Sequence, residues 1–315
     1  MNESSIATGR AVQFESFGGP EALSIREVPV PRAGLGQIRV RVTAAGLNPM
    51  DWFMTSDAET AARFGLSLPC GFGTDYAGVV DQVGDGVSDF VVGDRVFGGA
   101  LSRAVADYVV VDVAGTIVDG GEAHRTPDGL DDRTAATLTI ASRTAAAALA
   151  VVNPGAGDTV LIGGAGGGVG VFAVQLARRT GARVIGTGSA TSADALRALG
   201  AEPVAYGDGL VDRVRTLAPA GVTAAMDLHG TDTAYAAREL GVPDERITTI
   251  AGQLDGIIPA NGANAAPSAI EEIAGLVAAG RLRVPIAASF PVERIRAAVE
   301  LQAGRHVHGK VVIDL

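Results

Sequence analysis

Asp158-Thr159-Val160-Leu161-Ile162-Gly163-Gly164-Ala165-Gly166-Gly167-Gly168-Val169-Gly170 decides the fold of this chain. An apolar strand runs into a glycine-dense turn, and a helix opens behind it. A dinucleotide pyrophosphate needs that order. Glycines let the backbone turn tightly and approach the phosphates, and a helix N-terminus offers free N–H groups and the positive end of its dipole. The spacing is irregular, because Ala165 holds the first glycine position and Gly167 and Gly170 follow. A glycine run alone also reads as a flexible loop. Context separates the two readings: Val169, Ala173, Leu176 and Ala177 form an apolar helical face, Gly181 stops the helix, and Ala182 to Thr187 reads as a second strand. Gly164, Ala165, Gly167, Gly168, Val169 and Gly170 are therefore the expected cofactor-binding residues.

The second strand bears on which nucleotide is bound. NAD sites place Asp or Glu about 20 residues after the glycine turn, where it holds the ribose 2′-hydroxyl. Here the strand ends Gly186-Thr187-Gly188-Ser189-Ala190-Thr191-Ser192, with no acid before Asp194. A carboxylate repels a 2′-phosphate, whereas small hydroxyl residues hydrogen-bond it. NADPH is expected over NADH, with Thr187, Ser189 and Ser192 as contacts. A Ser/Thr cap at a loop-to-helix junction is the plainer reading, and both can hold at once.

The chain has 315 residues, enough for two domains and a large core. Apolar content of 47% with 43 glycines fits a glycine- and alanine-rich α/β protein rather than a disordered one. No apolar run approaches a membrane span, and Met1 to Arg10 lacks the apolar block of a signal peptide. A single cysteine, Cys70, excludes an internal disulfide framework and a cysteine-based zinc cluster. The expected location is cytoplasmic. A net charge of −10 argues against nucleic acid or an anionic membrane as partner.

Residues 10–45 alternate short β patterns with turns, as in Gln37-Ile38-Arg39-Val40-Arg41-Val42. Gly73 to Val83, Asp94 to Phe97 and Ala104 to Val113 continue that character, and the polar stretch Asp119 to Asp132 reads as a loop. From Thr134 the pattern turns helical, alanine-rich through Val152. Strands are then expected at 158–163, 182–187, 203–206, 223–228 and 246–251, separated by helices. Such alternation implies a parallel sheet covered on both faces. Arg283 to Leu315 returns to strand, helix and strand, and Lys310-Val311-Val312-Ile313 completes the first domain. The expected fold is α/β: a doubly wound parallel sheet over 135–280, inserted into a discontinuous, mainly β domain over 1–134 and 281–315.

Further motifs stand in order along the chain. They are Phe17-Gly18-Gly19-Pro20-Glu21-Ala22-Leu23, Ala45-Gly46-Leu47-Asn48-Pro49-Met50-Asp51, Gly73-Thr74-Asp75-Tyr76-Ala77-Gly78-Val79-Val80, Val92-Gly93-Asp94-Arg95-Val96 and Gly309-Lys310-Val311-Val312. Together with the glycine turn they resemble the medium-chain dehydrogenase/reductase superfamily, in its zinc-free quinone oxidoreductase branch, over nearly the whole chain. The resemblance implies a Rossmann domain and a GroES-like catalytic domain. Zinc-dependent relatives carry Cys where this chain has Asn48, His where it has Thr74, and another Cys near Ile140. None of these three residues ligates zinc as a thiolate or imidazole.

Reducing an isolated ketone by hydride creates an alkoxide, whose conjugate acid is about as weak as water. Such a step wants a Lewis acid or a placed proton donor. A quinone gives a phenolate-like anion, with a conjugate acid near about 10, as for tyrosine. An α,β-unsaturated carbonyl gives a conjugated enolate. Either anion can take its proton from water, so the missing zinc ligands select conjugated acceptors. The expected reaction is NADPH-dependent hydride transfer to a quinone. Enone or enal double-bond reduction is the enzymatic alternative, and a nucleotide-binding sensor or structural protein is the alternative of another class.

The resemblance implies site residues position by position. Asn48 lines the nicotinamide and acceptor pocket, where its amide steadies an oxyanion; a turn Asn before Pro49 is the plain reading. Phe53 replaces a tyrosine of some relatives, and Thr74 stands at a vanished ligand position. Asp51 positions neighbours, and Trp52 reads as core. Thr144 resembles a cofactor-side threonine, Tyr206 the tyrosine bordering the adenosine phosphate, and Lys310 belongs to the closing motif on the cofactor side. His229 follows Met226-Asp227-Leu228 and borders the nicotinamide. Relatives often carry Lys or Arg near Ser192 for the phosphate. This chain has none there, leaving Arg178 and Arg197 as substitutes or as solvated charges. His306-Val307-His308 places two imidazoles on one strand face, but with no further ligand nearby no metal is expected. Relatives pair through the edge of the nucleotide-domain sheet, so Ile247-Thr248-Thr249-Ile250-Ala251, as an apolar edge, implies a homodimer.

Overall fold

The computed structural model describes residues 7–315, so the reading of Met1 to Arg10 lies, for residues 1–6, outside the described residues. The chain divides into two compact units, one made of residues up to Ile140 together with Ile286–Leu315, the other of Ala141–Pro285.

In the first unit the strands are β1 (Thr8–Phe14), β2 (Leu23–Pro29) and β3 (Gln37–Leu47), followed by helices α1 (Pro49–Phe53) and α2 (Ala58–Arg63). Then come β4 (Cys70–Gly71), β5 (Asp75–Val83), β6 (Arg95–Gly99), β7 (Tyr108–Asp112), β8 (Glu122–Arg125) and α3 (Asp132–Ala135). Helix α4 (Thr139–Val152) leads into the second unit. There β9 (Thr159–Gly163), α5 (Gly170–Arg179), β10 (Arg183–Gly188), α6 (Ala193–Leu199), β11 (Glu202–Ala205) and α7 (Leu210–Leu217) alternate. The alternation continues through β12 (Ala224–Asp227), α8 (Asp232–Glu239), β13 (Ile247–Thr249) and α9 (Ala269–Ala278). The chain returns to the first unit with β14 (Ile286–Pro291), α10 (Ile295–Ala303) and β15 (Lys310–Asp314).

The second unit holds one parallel sheet in the order β11-β10-β9-β12-β13. Strand order reverses between β9 and β12, which makes the C-terminal ends of these two strands the switch point where ligands of doubly wound folds bind. Leu161, Ile185, Val204, Val214, Ala225 and Ile247 form its core. In the first unit β2-β1-β4 make a small sheet. A seven-stranded sheet runs β14-β15-β3-β5-β6-β8, with β7 also paired to β3. Phe14, Leu47, Phe72 and Ile313 fill one core of this unit, and Tyr76, Val80, Val96 and Val109 another.

Several local expectations change. The polar loop Asp119 to Asp132 contains β8, because Glu122–Arg125 pairs with β6 and the Glu122 carbonyl accepts the Tyr76 hydroxyl. The strand read over Ala104 to Val113 is confined to Tyr108–Asp112. The helical run starts at Asp132, where Asp131 caps the Thr134 N–H, and breaks before α4. Its neighbour α5 buries Val171, Phe172 and Val174 beside Ala173 and Ala177, a wider face than the sequence pattern implied. His306-Val307-His308 is not strand: Arg305 takes φ +56° after α10, and extended pairing resumes only at Lys310. Strand β13 is an edge, yet Thr249 O accepts the Ala260 N–H and Thr248 Oγ1 donates to Ile258 O. The chain's own Ile258–Ala260 segment thus covers part of the edge from which pairing with a second copy was argued.

Ile185 lies in a central parallel strand and is fully buried. Ile185→Ala is expected to cost about 2–5 kcal/mol of unfolding free energy, checked by urea denaturation.

Candidate active site

At the end of β9 the chain turns at Gly164, with φ +67°. Among the described residues the backbone N–H groups of Ala165, Gly166, Gly168 and Val169 have no hydrogen-bond partner. They lie at the opening of α5, where the helix dipole favours an anion. Gly170 is the residue that allows the turn to close: a Cβ there would lie 2.2 Å from the Gly164 carbonyl oxygen and 2.5 Å from that of Ala165. Ala165 is tolerated in place of glycine because it faces Gly186 of β10, where a Cβ would come within 2.8 Å of its methyl.

Two neighbouring strands brace this turn. Thr187 Oγ1 accepts the Gly164 N–H at 3.2 Å, so this hydroxyl pins the turn. Asp227, at the end of β12, is buried and its carboxylate accepts four N–H groups. Oδ1 takes His229 at 3.1 Å and Gly230 at 2.9 Å, and Oδ2 takes Thr233 at 2.8 Å and Ala234 at 3.3 Å. The loop so folded brings His229 Cβ to 3.1 Å from where a Gly164 Cβ would stand.

After β10, Ser192 turns inward, donating to the Ser189 carbonyl at 2.8 Å, and neither Ser189 nor Ser192 caps a helix N–H with its hydroxyl. Ser189 and Thr191 join hydroxyls at 2.8 Å on the surface. Register pairs Gly188 with Ala205, so Tyr206, 57% exposed, follows on the adjacent strand. Arg197 is engaged by Asp194 at 2.8 Å. Thr144 lies on α4 beside Gly262.

A second cluster lies in the first unit. Asn48 precedes α1. Its N–H donates to Asp51 Oδ2 at 2.8 Å, and its side-chain Oδ1 accepts the Lys310 ammonium at 2.6 Å. Thr74 Oγ1 donates to Asp51 Oδ1 at 2.6 Å. Asp75 Oδ2 lies 3.9 Å from Lys310 Nζ, and the Asp75 carboxylate accepts the Ile140 N–H at 3.2 Å. All five side chains are buried. Burial pushes the Asp51 carboxyl up to about 6, opposed by the Thr74 and Asn48 hydrogen bonds and the Lys310 charge. Burial likewise pushes Asp75 up to about 7, opposed first by Lys310. The Lys310 ammonium is shifted down by burial, against the pull of Asp75 and Asp51.

Residues 34–124 match the alcohol dehydrogenase GroES-like domain, and residues 199–313 match the zinc-binding dehydrogenase family. The quinone oxidoreductase of Homo sapiens is 38% identical over 193 residues, 58% of this chain and 54% of that protein. The chain thus spans about half the length of the curated relatives it matches. The structure of the quinone oxidoreductase from Coxiella burnetii superposes with a TM-score of 0.87 at 28% identity, covering 98% of this chain and 100% of that one. That of Pseudomonas syringae pv. Tomato DC3000 gives 0.84 at 26%, covering 98% and 100%. The chain belongs to the medium-chain dehydrogenase/reductase superfamily.

Within this superfamily member, Asn48, Thr74 and Lys310 share one cluster, while Gly164–Gly170, Thr187 and His229 meet at the switch point. Phe53 ends α1, 51% exposed. Trp52 packs partly on the core and donates from Nε1 to Gln302 Oε1 at 3.1 Å. Asp227 and Asp75 were not singled out from sequence. An acid closing a short buried strand just before a Gly-containing loop was the available signal for Asp227. Nothing local marked Asp75 as the partner of Lys310.

Gly170→Ala is expected to weaken nicotinamide dinucleotide binding at least about tenfold by breaking the turn, whereas Ala165→Gly leaves it within about twofold. Nicotinamide fluorescence titration checks both. The two carboxyls hold protons more tightly in the folded chain than at their ordinary value of 3.8. Their contribution to stability is therefore full below about pH 4 and is lost as pH rises through about 6 and 7. Asp75→Asn should fall less in unfolding free energy between pH 4 and 7 than the parent protein; an equal fall would contradict the assignment.

Proposed function

We propose that this protein is an NADPH-dependent oxidoreductase that passes hydride to a conjugated carbonyl, a quinone first of all, without zinc. The observation that carries the reading is the set of unpartnered N–H groups at Ala165, Gly166, Gly168 and Val169. Such a donor set fits a pyrophosphate. Gly164 to Gly170 would hold the dinucleotide, with His229 and Tyr206 on flanking loops. The cofactor, when bound, supplies the hydride. NADPH is favoured because the Ser189 and Thr191 hydroxyls stand at the surface after β10, and the nearest following acid, Asp194, is engaged by Arg197.

On the acceptor side, Asn48 offers an amide N–H to the oxygen that gains charge, and Thr74 holds Asp51 in place. Phe53 presents an apolar ring where a tyrosine hydroxyl would be a proton donor, so water protonates the product anion. Zinc independence is supported by Asn48 and Thr74 themselves. Without a Lewis acid, the acceptor must delocalise the charge it receives. A cytoplasmic location goes with this reading; among the described residues no helix is long and apolar enough to cross a membrane.

Oxidation of NADPH against a panel of quinones, enones and simple ketones tests the proposal, with NADH alongside. Quinones should turn over at least about a hundredfold faster than simple ketones. Equal rates on ketones, or no turnover despite NADPH binding, would overturn it.

A further inference from the structure

The acceptor-side cluster contains a buried cation that the proposed reaction does not use. Lys310 opens β15, is 2% exposed, and spends its ammonium on Asn48 Oδ1 at 2.6 Å, with Asp75 Oδ2 at 3.9 Å. An ammonium has donors only, so the amide atom facing it is oxygen; the orientation of this side chain follows from its partner. The Asn48 backbone is fixed too, its N–H on Asp51 Oδ2 and its carbonyl accepting the Asp51 N–H at 3.0 Å. A turn asparagine before proline needs no buried lysine, and taking an ammonium out of water is costly.

One polar atom of Asn48 is left over. Nδ2 is buried and has no hydrogen-bond partner. Buried polar atoms in native proteins are nearly all satisfied, so an orphan calls for a ligand or a reason. The Asp51 and Asp75 carboxylates are near enough for the amide to favour their ionised forms, yet neither meets Nδ2 in hydrogen-bond geometry.

We propose that Lys310 is a positioning residue of the acceptor site: by holding Oδ1 it keeps Nδ2 as the donor end, which meets the oxygen of a conjugated carbonyl as that oxygen becomes anionic. The inference rests on the hydride-transfer reading above. Without the ammonium the amide is free to flip and to present Oδ1, an acceptor, to an oxyanion. Attraction then becomes repulsion in a buried site, where such interactions are strong.

NADPH-dependent quinone reduction by the parent, Lys310→Met, Asn48→Ala and the double variant tests this. Each single variant should lose about 10²-fold in kcat, as for removal of one oxyanion donor, with KM for NADPH unchanged. The double variant should lie within about twofold of Asn48→Ala, because Lys310 acts through Asn48. Lys310→Gln, whose amide still donates, should recover part of the lost kcat. Trp52, the single tryptophan, packs against this unit's core, so its emission reports whether each variant is folded. Independent, multiplying losses, or a lower Tm with kcat intact, would overturn the proposal and make Lys310 a partner of the carboxylates alone. If Lys310→Met does not fold, a folded Asn48→Ala with undiminished kcat overturns it equally. A parent protein inactive on every quinone removes the hydride-transfer reading and this inference with it, whereas an active parent matched by Lys310→Met removes only the inference.

Discussion

A lysine ammonium shut away from water governs how the first unit can be built. Its partners come from the junction between β3 and α1 and from β5, and the Asn48 amide lies 262 positions from Lys310 in sequence. Strand β15 pairs with β3 through Val311↔Leu47 and Val312↔Gly46. A slip of one residue would turn Lys310 to the opposite face and leave an unpaired charge or an unpaired amide. Apolar burial of Val311 and Ile313 tolerates many arrangements; the ammonium tolerates one. The charge therefore contributes register more than strength, since ion pairs taken out of water return little net stability.

In the second unit the controlling contrast is between two helix N-termini beside the switch point. That of α8 is already filled: Asp227 takes the N–H groups of Thr233 and Ala234 together with those of His229 and Gly230. That of α5 is preceded by donors with no partner. An anionic ligand arriving there meets vacant donors at one helix and a resident carboxylate at the other. The closeness of His229 to the glycine turn follows from the same Asp227 contacts.

Much of the second unit was legible because its determinants are local. Thr159–Gly163 is an apolar strand, Gly164 supplies a positive φ, and Gly170 permits helix and turn to touch, all within a dozen residues. Strand β8 was illegible because Glu-Ala-His-Arg has no strand pattern of its own; it is extended because β6 pairs with it and Tyr76 holds its carbonyl. Ser192 shows a different limit. Sequence placed a hydroxyl near the expected phosphate position but could not say which way it points, and the structure spends it on the Ser189 carbonyl. The Asn48 cluster was half legible. Motifs drew attention to Asn48, Asp51, Thr74 and Lys310 separately, but pairing across 262 positions is a property of the closed sheet.

The inserted arrangement also orders events in time. The chain leaves the first unit at Ile140 and returns at Ile286, so every residue of the nucleotide unit emerges from the ribosome before β14 and β15. That unit has its own core and a sheet made only of its own strands, and domains fold largely as units during synthesis. The first unit must wait with β3 lacking its β15 partner and Asn48 lacking its cation. Assembly of the Lys310 cluster thus follows that of the inserted unit, and a nascent chain stalled before Lys310 would carry a complete parallel sheet while the first unit still lacked β15.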